Sequence, residues 1–155
     1  MNILVLGGCG YIGSVLIEKL VKDKKNIITA IDTQWFGNYL PKNSRINIIK
    51  EDIRNVDKIS FKKIDTIIHL ANIANDPAVE LDPQLSWEVN TLASKFLIEK
   101  AIKNKVKKII FASSGSVYGV KKEKKVTENL DLKPISTYNK TKMIAERVLL
   151  SYKDK

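Results

Sequence analysis

The sequence contains a single cysteine and has no long apolar run. Cys9 is the one cysteine among 155 residues, so no internal disulfide can form and a reducing, cytoplasmic location is expected. No apolar stretch approaches the roughly 18 residues that a membrane-spanning helix needs, so no membrane association is predicted. Residues 1–6 are apolar but have no basic leader and run into glycines. We therefore interpret them as a strand rather than a signal peptide.

Arginine is also scarce, although the formal net charge is +10. Only Arg45, Arg54 and Arg147 are arginines, and the lysines are scattered along the chain. A nucleic-acid interface needs basic residues concentrated on one face, preferably arginines with interleaved aromatics. The lysine-rich runs 103–108 and 121–125 fit a helix end and a solvated loop instead. Nucleic-acid binding is therefore the less favoured alternative, while an attraction for anionic ligands such as nucleotides follows from the charge.

Strand-like and helix-like segments alternate along the chain. Short apolar runs predict strands, and apolar residues spaced three or four apart predict helices. The strands are expected at residues 2–6, 26–31, 46–50, 65–71 and 107–113, the helices at 11–24, 56–61, 84–104 and 137–152, and long polar loops at 72–83 and 114–135. This alternation predicts one α/β domain over residues 1–155, with a Rossmann-type, doubly wound parallel sheet in the strand order 3-2-1-4-5.

A glycine-rich turn follows the first predicted strand. Gly8, Gly10 and Gly13 satisfy the pattern G-x-G-x-x-G, and Gly7, Gly10 and Gly13 satisfy G-x-x-G-x-x-G. Glycine permits a tight turn, a close approach of the backbone to a pyrophosphate, and close packing of a helix on a strand. The helix that follows presents free N–H groups and a partial positive charge to phosphates. The strand–turn–helix context predicts a dinucleotide-binding unit rather than a purely structural turn.

Asp32 ends the second predicted strand, about 20 residues after the turn. A carboxylate at this place can bind the hydroxyls of the adenosine ribose, and it repels a 2′-phosphate. Neither Thr33 nor Gln34 offers a basic group that would receive such a phosphate. The sequence therefore predicts NAD, rather than NADP, as the cofactor.

Tyr138 and Lys142 form a Y-x-x-x-K pair in the last predicted helix. Residues four apart share a helix face, so the phenol and the ammonium can converge on one site. A phenol whose pKa is about 10 is a poor base at neutral pH, but an adjacent ammonium and an oxidised nicotinamide both favour the phenolate. A surface tyrosine beside a lysine is the alternative. The serine-rich segment 113–116 ends the fifth strand, where its hydroxyls either face the same crevice as the glycine turn or belong to an ordinary polar loop.

Taken together, these motifs resemble the extended short-chain dehydrogenases/reductases, the NAD-dependent epimerases and dehydratases that include nucleotide-sugar 4-epimerases. The combination is far more specific than any one motif, and it extends from residue 1 to about residue 150. The residues that carry it are the glycines of the turn, Asp32, Asp52-Ile53-Arg54, His69-Leu70-Ala71, the segment 113–119 (SSGSVYG) and Tyr138-x-x-x-Lys142.

The resemblance implies a catalytic site and a cofactor site. Ser114 would hydrogen-bond the reacting hydroxyl, Tyr138 would be the general base, and Lys142 would assist it. The implied reaction is removal of a hydroxyl proton with hydride transfer to NAD, which opens epimerisation, dehydration or oxidation of a nucleotide sugar. No metal site is predicted. The implied cofactor-binding residues are Gly7, Gly10, Tyr11, Ile12, Gly13, Asp32, Asp52, Ile53, Leu70, Ala71, Asn90, Tyr138 and Lys142.

Two features depart from the family pattern. The loop 72–83 carries an Asn-Asp-Pro segment unlike that of the best-known 4-epimerases, so their substrate is not transferred to this chain. Family members also continue for a comparable length after the Tyr-Lys helix, so we expect the substrate domain to be lacking and residues 109–111 to form an exposed apolar edge.

Three explanations of the missing part stay open. The chain is a fragment, a short protein that takes the missing domain from a partner or a second copy, or a non-catalytic NAD-binding module. In related enzymes the long helix at 84–104 and the final helix pair with their equivalents in a second subunit. The resemblance therefore also implies a homodimer through these two helices.

Overall fold

The computed structural model describes residues 1–153, and the chain divides into two compact units. Unit 1 comprises Met1–Asn72 and Phe96–Ala112, and unit 2 comprises Ile73–Lys95 and Ser113–Lys155. The single domain over residues 1–155 stays a prediction, and its last two residues lie outside the described residues. Within residues 1–153, no helix combines the length and the apolar character needed to cross a bilayer.

Five parallel strands form the sheet of unit 1. They are β1 (Asn2–Leu6), β2 (Ile27–Asp32), β3 (Ile46–Lys50), β4 (Thr66–His69) and β5 (Lys108–Phe111). Their order is β3-β2-β1-β4-β5, which confirms the predicted fold class and strand order. Leu6 at the end of β1 pairs with Ile31 on one side and His69 on the other. The carboxyl ends of these three strands are therefore level at the switch point, where ligands bind in sheets of this kind.

The first helix, α1 (Tyr11–Leu20), packs on one face of this sheet. Leu4 and Leu6 point to the opposite face because side chains alternate along a strand, and there too they are fully buried. β1 is thus buried on both faces, which explains its uninterrupted apolar sequence. Ile110 on the edge strand β5 is exposed. The core cluster on the α1 face includes Ile3, Val5, Ile17, Val21, Ile28, Ala30 and Ile68.

Helices dominate unit 2. It contains α2 (Asp76–Leu81), α3 (Pro83–Trp87), a π-helical turn (Glu88–Leu92), a 3₁₀ turn (Gly115–Tyr118) and α5 (Thr137–Leu150). The π-helical turn continues into α4 (Ala93–Lys103), whose residues from Phe96 onward belong to unit 1. The helix α5 contacts α2, α3, the π-helical turn and the 3₁₀ turn, so it is the central element of unit 2.

Several predicted helix boundaries were wrong. α1 ends at Leu20 rather than at residue 24, because Asp23 starts a turn in which its side chain accepts a hydrogen bond from Lys25 N. The helix predicted at 56–61 is a single 3₁₀ turn, Val56–Lys58. The loop predicted at 72–83 contains α2, whose first turn is capped by the Asn75 side chain. The helix predicted at 84–104 begins one residue earlier and includes the π-helical turn.

Candidate functional site

The glycine turn of unit 1 is packed so closely that two of its glycines have no room for a side chain. Gly7 has a φ of +80°, and a Cβ there would lie 2.6 Å from the backbone nitrogen of Ala71. A Cβ on Gly13 would lie 2.4 Å from the carbonyl oxygen of Gly7 and 2.7 Å from that of Gly8. These positions need glycine for the protein's own packing, since both clashes are with backbone atoms.

Gly10 is different because the protein itself does not fill the space beside it. A Cβ on Gly10 would have its nearest neighbour, the Gly7 carbonyl oxygen, at an ordinary 3.5 Å. Gly10 is also the N-cap of α1 in an extended conformation that other residues adopt, and no side chain caps this helix end. Tyr11 and Ile12, the first helical residues, are 90% and 62% exposed. The open space and the uncapped helix start together form a cradle suited to an anion.

Asp32 lies at the carboxyl end of β2 and is bonded to the glycine turn. Its Oδ2 accepts a hydrogen bond from Cys9 N at 3.0 Å, and its Oδ1 accepts one from Gln34 N at 2.7 Å. Burial, with a smaller effect of the Asp32 charge, raises the pKa of Cys9 to about 11. The thiol is therefore neutral at physiological pH, and it donates to Asn38 Oδ1 at 3.7 Å. Asp32 is thus held beside the glycine turn, and its predicted contact with the adenosine ribose stays a prediction.

The other residues of unit 1 that were predicted to bind the cofactor lie at the ends of β3 and β4. Leu70 N and Ala71 N both donate to the carbonyl oxygen of Leu6, so they lie beside the glycine turn. Asp52 follows β3 and is paired with Arg54, whose Nη2 lies 2.8 Å from Asp52 Oδ2. Burial opposes ionisation of Asp52, but the hydrogen bonds from Arg54 outweigh it and lower the pKa of Asp52 below its usual range.

In unit 2, Ser114 caps the 3₁₀ turn that follows β5. Its Oγ accepts a hydrogen bond from Ser116 N and lies 2.7 Å from Ser116 Oγ. Both hydroxyls are therefore held together on one short turn. Ser113, in contrast, donates its hydroxyl hydrogen bond to Glu146 of α5. The serines of this segment therefore make two kinds of contact: Ser113 bonds α5, and Ser114 and Ser116 bond each other.

Tyr138 and Lys142 lie one turn apart on α5. Lys142 is only 2% exposed. Burial lowers the pKa of Lys142 from its usual 10.5 to about 8, and the charge of Glu146 acts in the opposite direction. A lysine of this kind is a candidate functional residue, because strongly shifted pKa values cluster at sites of chemistry.

Asn90 lies in the π-helical turn and is 1% exposed. Its Nδ2 donates to the carbonyl oxygen of Ile73 and to Thr141 Oγ1, both at 3.1 Å, and its Oδ1 accepts from Ile73 N at 2.7 Å. Thr141 Oγ1 in turn donates to the carbonyl oxygen of Tyr138 at 2.7 Å. The amide of Asn90 therefore connects the start of unit 2 to the turn of α5 that carries Tyr138. The cofactor contact expected for Asn90 stays a prediction.

Comparison with known proteins places this chain in a family. The model of the NAD-dependent epimerase/dehydratase family matches residues 3–155. The chain belongs to this family. It is 36% identical over 174 aligned residues to an uncharacterized UDP-glucose epimerase of Bacillus subtilis, covering 99% of this chain and 52% of that protein.

Solved structures of family members have the same fold. A UDP-N-acetylglucosamine 4-epimerase from Methanobrevibacter ruminantium M1, in complex with UDP-N-acetylmuramic acid, gives a TM-score of 0.90 at 33% identity over 99% of this chain and 51% of that one. A UDP-glucuronic acid 4-epimerase from Bacillus cereus, in complex with UDP-glucuronic acid and NAD, gives 0.84 at 31% identity over 98% and 52%. This chain thus spans about half the length of these family members.

Sequence reasoning missed two residues of α5, the helix that carries Tyr138 and Lys142. Thr141 lies between Tyr138 and Lys142 and was not singled out, although its hydroxyl bonds Asn90. Glu146 continues the spacing of four that joins Tyr138 to Lys142, and this continuation was the available signal. Nothing in the sequence indicates the hydrogen bond from Ser113 to Glu146, because it joins residues 33 positions apart.

Proposed function

We propose that the glycine turn of this chain binds NAD. The fit rests on Gly10, because the space beside it is left open by the protein and would be filled by a Cβ. The uncapped start of α1 supplies N–H donors for a pyrophosphate. Asp32 would bind the adenosine ribose hydroxyls and disfavour the 2′-phosphate of NADP. The complexes of family members with NAD support the same assignment.

The other residues of the cofactor site are proposed on the family pattern. Tyr11 and Ile12 would donate backbone N–H groups to the pyrophosphate, and Asp52 and Ile53 would hold the adenine. Ile53 is buried, and the Asp52 carboxylate is already paired with Arg54, so the adenine contact would have to share that carboxylate. The remaining proposed contacts are those of Leu70, Ala71, Asn90, Tyr138 and Lys142.

We further propose that the protein takes part in epimerising a nucleotide sugar of the UDP-sugar class, which the names of its relatives share. Tyr138 would remove the proton of the reacting hydroxyl, and Ser114 would hold that hydroxyl. Lys142 would favour the phenolate of Tyr138 by its charge. Bound NAD supplies the acceptor for the hydride that leaves the same carbon. The observation that carries this proposal is the buried lysine one helical turn from the tyrosine.

A complementation experiment tests the catalytic role. In a strain whose loss of this gene causes a measurable defect, a gene copy that carries Tyr138→Phe should fail to restore the parental phenotype, because the change removes only the proposed base. Tyr39→Phe is the matched control, since it removes an exposed phenol hydroxyl in unit 1 and should restore it fully. If Tyr138→Phe restores the phenotype, the non-catalytic NAD-binding module or partner subunit replaces the enzymatic proposal.

The proposal includes a separate substrate domain, because the relatives are about twice the length of this chain. The purified 155-residue chain should bind NAD weakly and convert little UDP-sugar by itself. Rapid conversion by the chain alone would contradict this part of the proposal.

A homodimer through the two long helices is also proposed, and Phe96 on α4 and Leu150 on α5 are half-exposed apolar residues there. Analytical ultracentrifugation would show whether the chain dimerises.

A further inference from the structure

A buried ammonium needs an opposite charge or hydrogen-bond acceptors to remain charged. Lys142 is only 2% exposed. Its burial disfavours the ammonium form and lowers its pKa to about 8. The catalytic role proposed for Lys142 requires a positive charge beside Tyr138. A negative charge nearby would favour that ammonium form at physiological pH.

Glu146 is positioned to do this. It lies four residues after Lys142 on α5, so the two side chains emerge from the same helix face. The charge of Glu146 raises the pKa of Lys142 against the effect of burial. Tyr138, Lys142 and Glu146 thus form a row of three residues, each one turn from the next.

The carboxylate of Glu146 is itself held by a residue outside α5. Ser113 Oγ donates a hydrogen bond to Glu146 Oε2. The serine is exposed and the glutamate is half-buried, so the bond fixes a side chain that would otherwise move at the surface of unit 2. A fixed carboxylate acts on a neighbouring charge at a constant distance, whereas a mobile one is averaged and screened by solvent.

We propose that Glu146, held by Ser113, is a positioning residue that keeps Lys142 in its ammonium form. This inference rests on the proposed function, because the ammonium matters through Tyr138. It extends the Y-x-x-x-K pair to Y-x-x-x-K-x-x-x-E and gives Ser113 a function distinct from that of Ser114. The effect is electrostatic, so it predicts a change in the titration of Lys142 rather than in the fold.

Other titratable groups lie on the elements that pack against α5. They are Asp76 and Glu80 on α2, Glu88 in the π-helical turn and Tyr118 in the 3₁₀ turn. Asp76 accepts the hydrogen bond of Ser136, the N-cap of α5. The pKa of Lys142 responds to burial and to Glu146, so Glu80 provides a suitable control for a general loss of negative charge from unit 2.

The test is a titration of the Lys142 side chain by NMR in the full chain labelled with ¹³C,¹⁵N-lysine. The resonance is assigned by its disappearance in Lys142→Arg. In Glu146→Gln the Lys142 pKa should fall by about 1, the size of effect expected for a nearby partly screened charge. Ser113→Ala should lower it by less, because the carboxylate stays but is released. Glu80→Gln, which removes an exposed carboxylate of α2, should leave it unchanged.

An unchanged Lys142 pKa in folded Glu146→Gln would overturn the proposal. If that variant does not fold, Ser113→Ala decides, since it removes only a hydroxyl at an exposed position. A lower Lys142 pKa in it supports the proposal, and an unchanged one overturns it. The titration needs neither NAD nor turnover, so its result is independent of the complementation test of Tyr138.

Discussion

The two units of this chain hold their candidate functional residues in place in different ways. In unit 1 the proposed cofactor cradle is made of backbone, namely the glycine turn and the uncapped start of α1. In unit 2 the helix α5, which carries Tyr138 and Lys142, is held by a hydrogen bond between the buried side chains of Asn90 and Thr141. A backbone site tolerates no added carbon where it is closely packed. A side-chain network instead fails when one hydrogen-bond partner is removed.

The largest effect is expected within the glycine turn itself. Gly13→Ala should lower the free energy of unfolding by about 3 kcal/mol or more, because its Cβ would clash with two backbone carbonyl oxygens. Gly10→Ala should change it by less than about 1 kcal/mol, yet abolish NAD binding. Urea unfolding and calorimetric titration with NAD separate the two effects. Equal loss of stability in both variants would contradict the view that Gly13 is needed for packing and Gly10 for the cofactor cradle.

A slightly smaller effect is expected from the pH dependence of unit 2. The unfolded chain holds the Lys142 proton up to its usual pKa of 10.5, whereas the folded chain releases it at about 8. Between these pH values the unfolded state binds more protons, so the free energy of unfolding should rise with pH, by up to about 3 kcal/mol. Lys142→Met should remove this rise. Lys140→Met changes an exposed lysine on the same helix and should keep the rise. Equal pH profiles of the free energy of unfolding for the parent protein and both variants would contradict the assignment of the rise to Lys142.

Next in size is the loss of the Asn90 amide. Asn90→Ala leaves the N–H and carbonyl of Ile73 without their side-chain partner and removes the donor to Thr141 Oγ1, whose own hydrogen bond to the Tyr138 carbonyl remains. The free energy of unfolding should fall by about 2–3 kcal/mol, since unsatisfied buried polar groups are costly. Asn129→Ala removes an exposed amide and should be neutral. Chemical unfolding of both variants checks this, and a neutral Asn90→Ala would mean that the network contributes nothing.

The smallest effect is expected at Asp32. Asp32→Asn removes the charge and keeps one oxygen that can accept a hydrogen bond from Cys9 N or from Gln34 N, while the second acceptor is lost. The preference for NAD over NADP should fall by about tenfold, equal to about 1.4 kcal/mol. Parallel titrations with both cofactors measure it. An unaltered preference would show that the charge does not select the cofactor.

The same contrast explains what the sequence could predict. The strands, their order and the glycine turn follow from local patterns, because a strand buried on both faces must be apolar and a packed turn must be glycine. The dipeptides Asp76-Pro77 and Asp82-Pro83 predicted a loop, but Asn75 and Asp82 are helix caps and each proline lies in a first turn. This cap-and-proline signal for a helix start was present in the sequence and was misread.

The side-chain network was beyond sequence reasoning. The spacing of Tyr138 and Lys142 predicted a shared face of α5, and the helix confirms it. The π-helical turn does not break the spacing of three or four between apolar residues, so the sequence carries no signal for it. The bond between Asn90 and Thr141 joins residues 51 positions apart. Such contacts depend on the packing of helices, which periodicity does not specify.

The most direct test of the central claim is an NMR titration of the ¹⁵N-labelled chain with NAD. We expect saturable shifts of the backbone amides of the glycine turn, the first turn of α1 and Asp32, with weaker binding of NADP. In Gly10→Ala, which should remain folded, these shifts should be absent. The assignment of the glycine turn as the cofactor site would be contradicted by either of two results. One is that the amide shifts that saturate with NAD lie elsewhere in unit 1 while the glycine turn is unaffected, and the other is that no binding occurs at millimolar NAD.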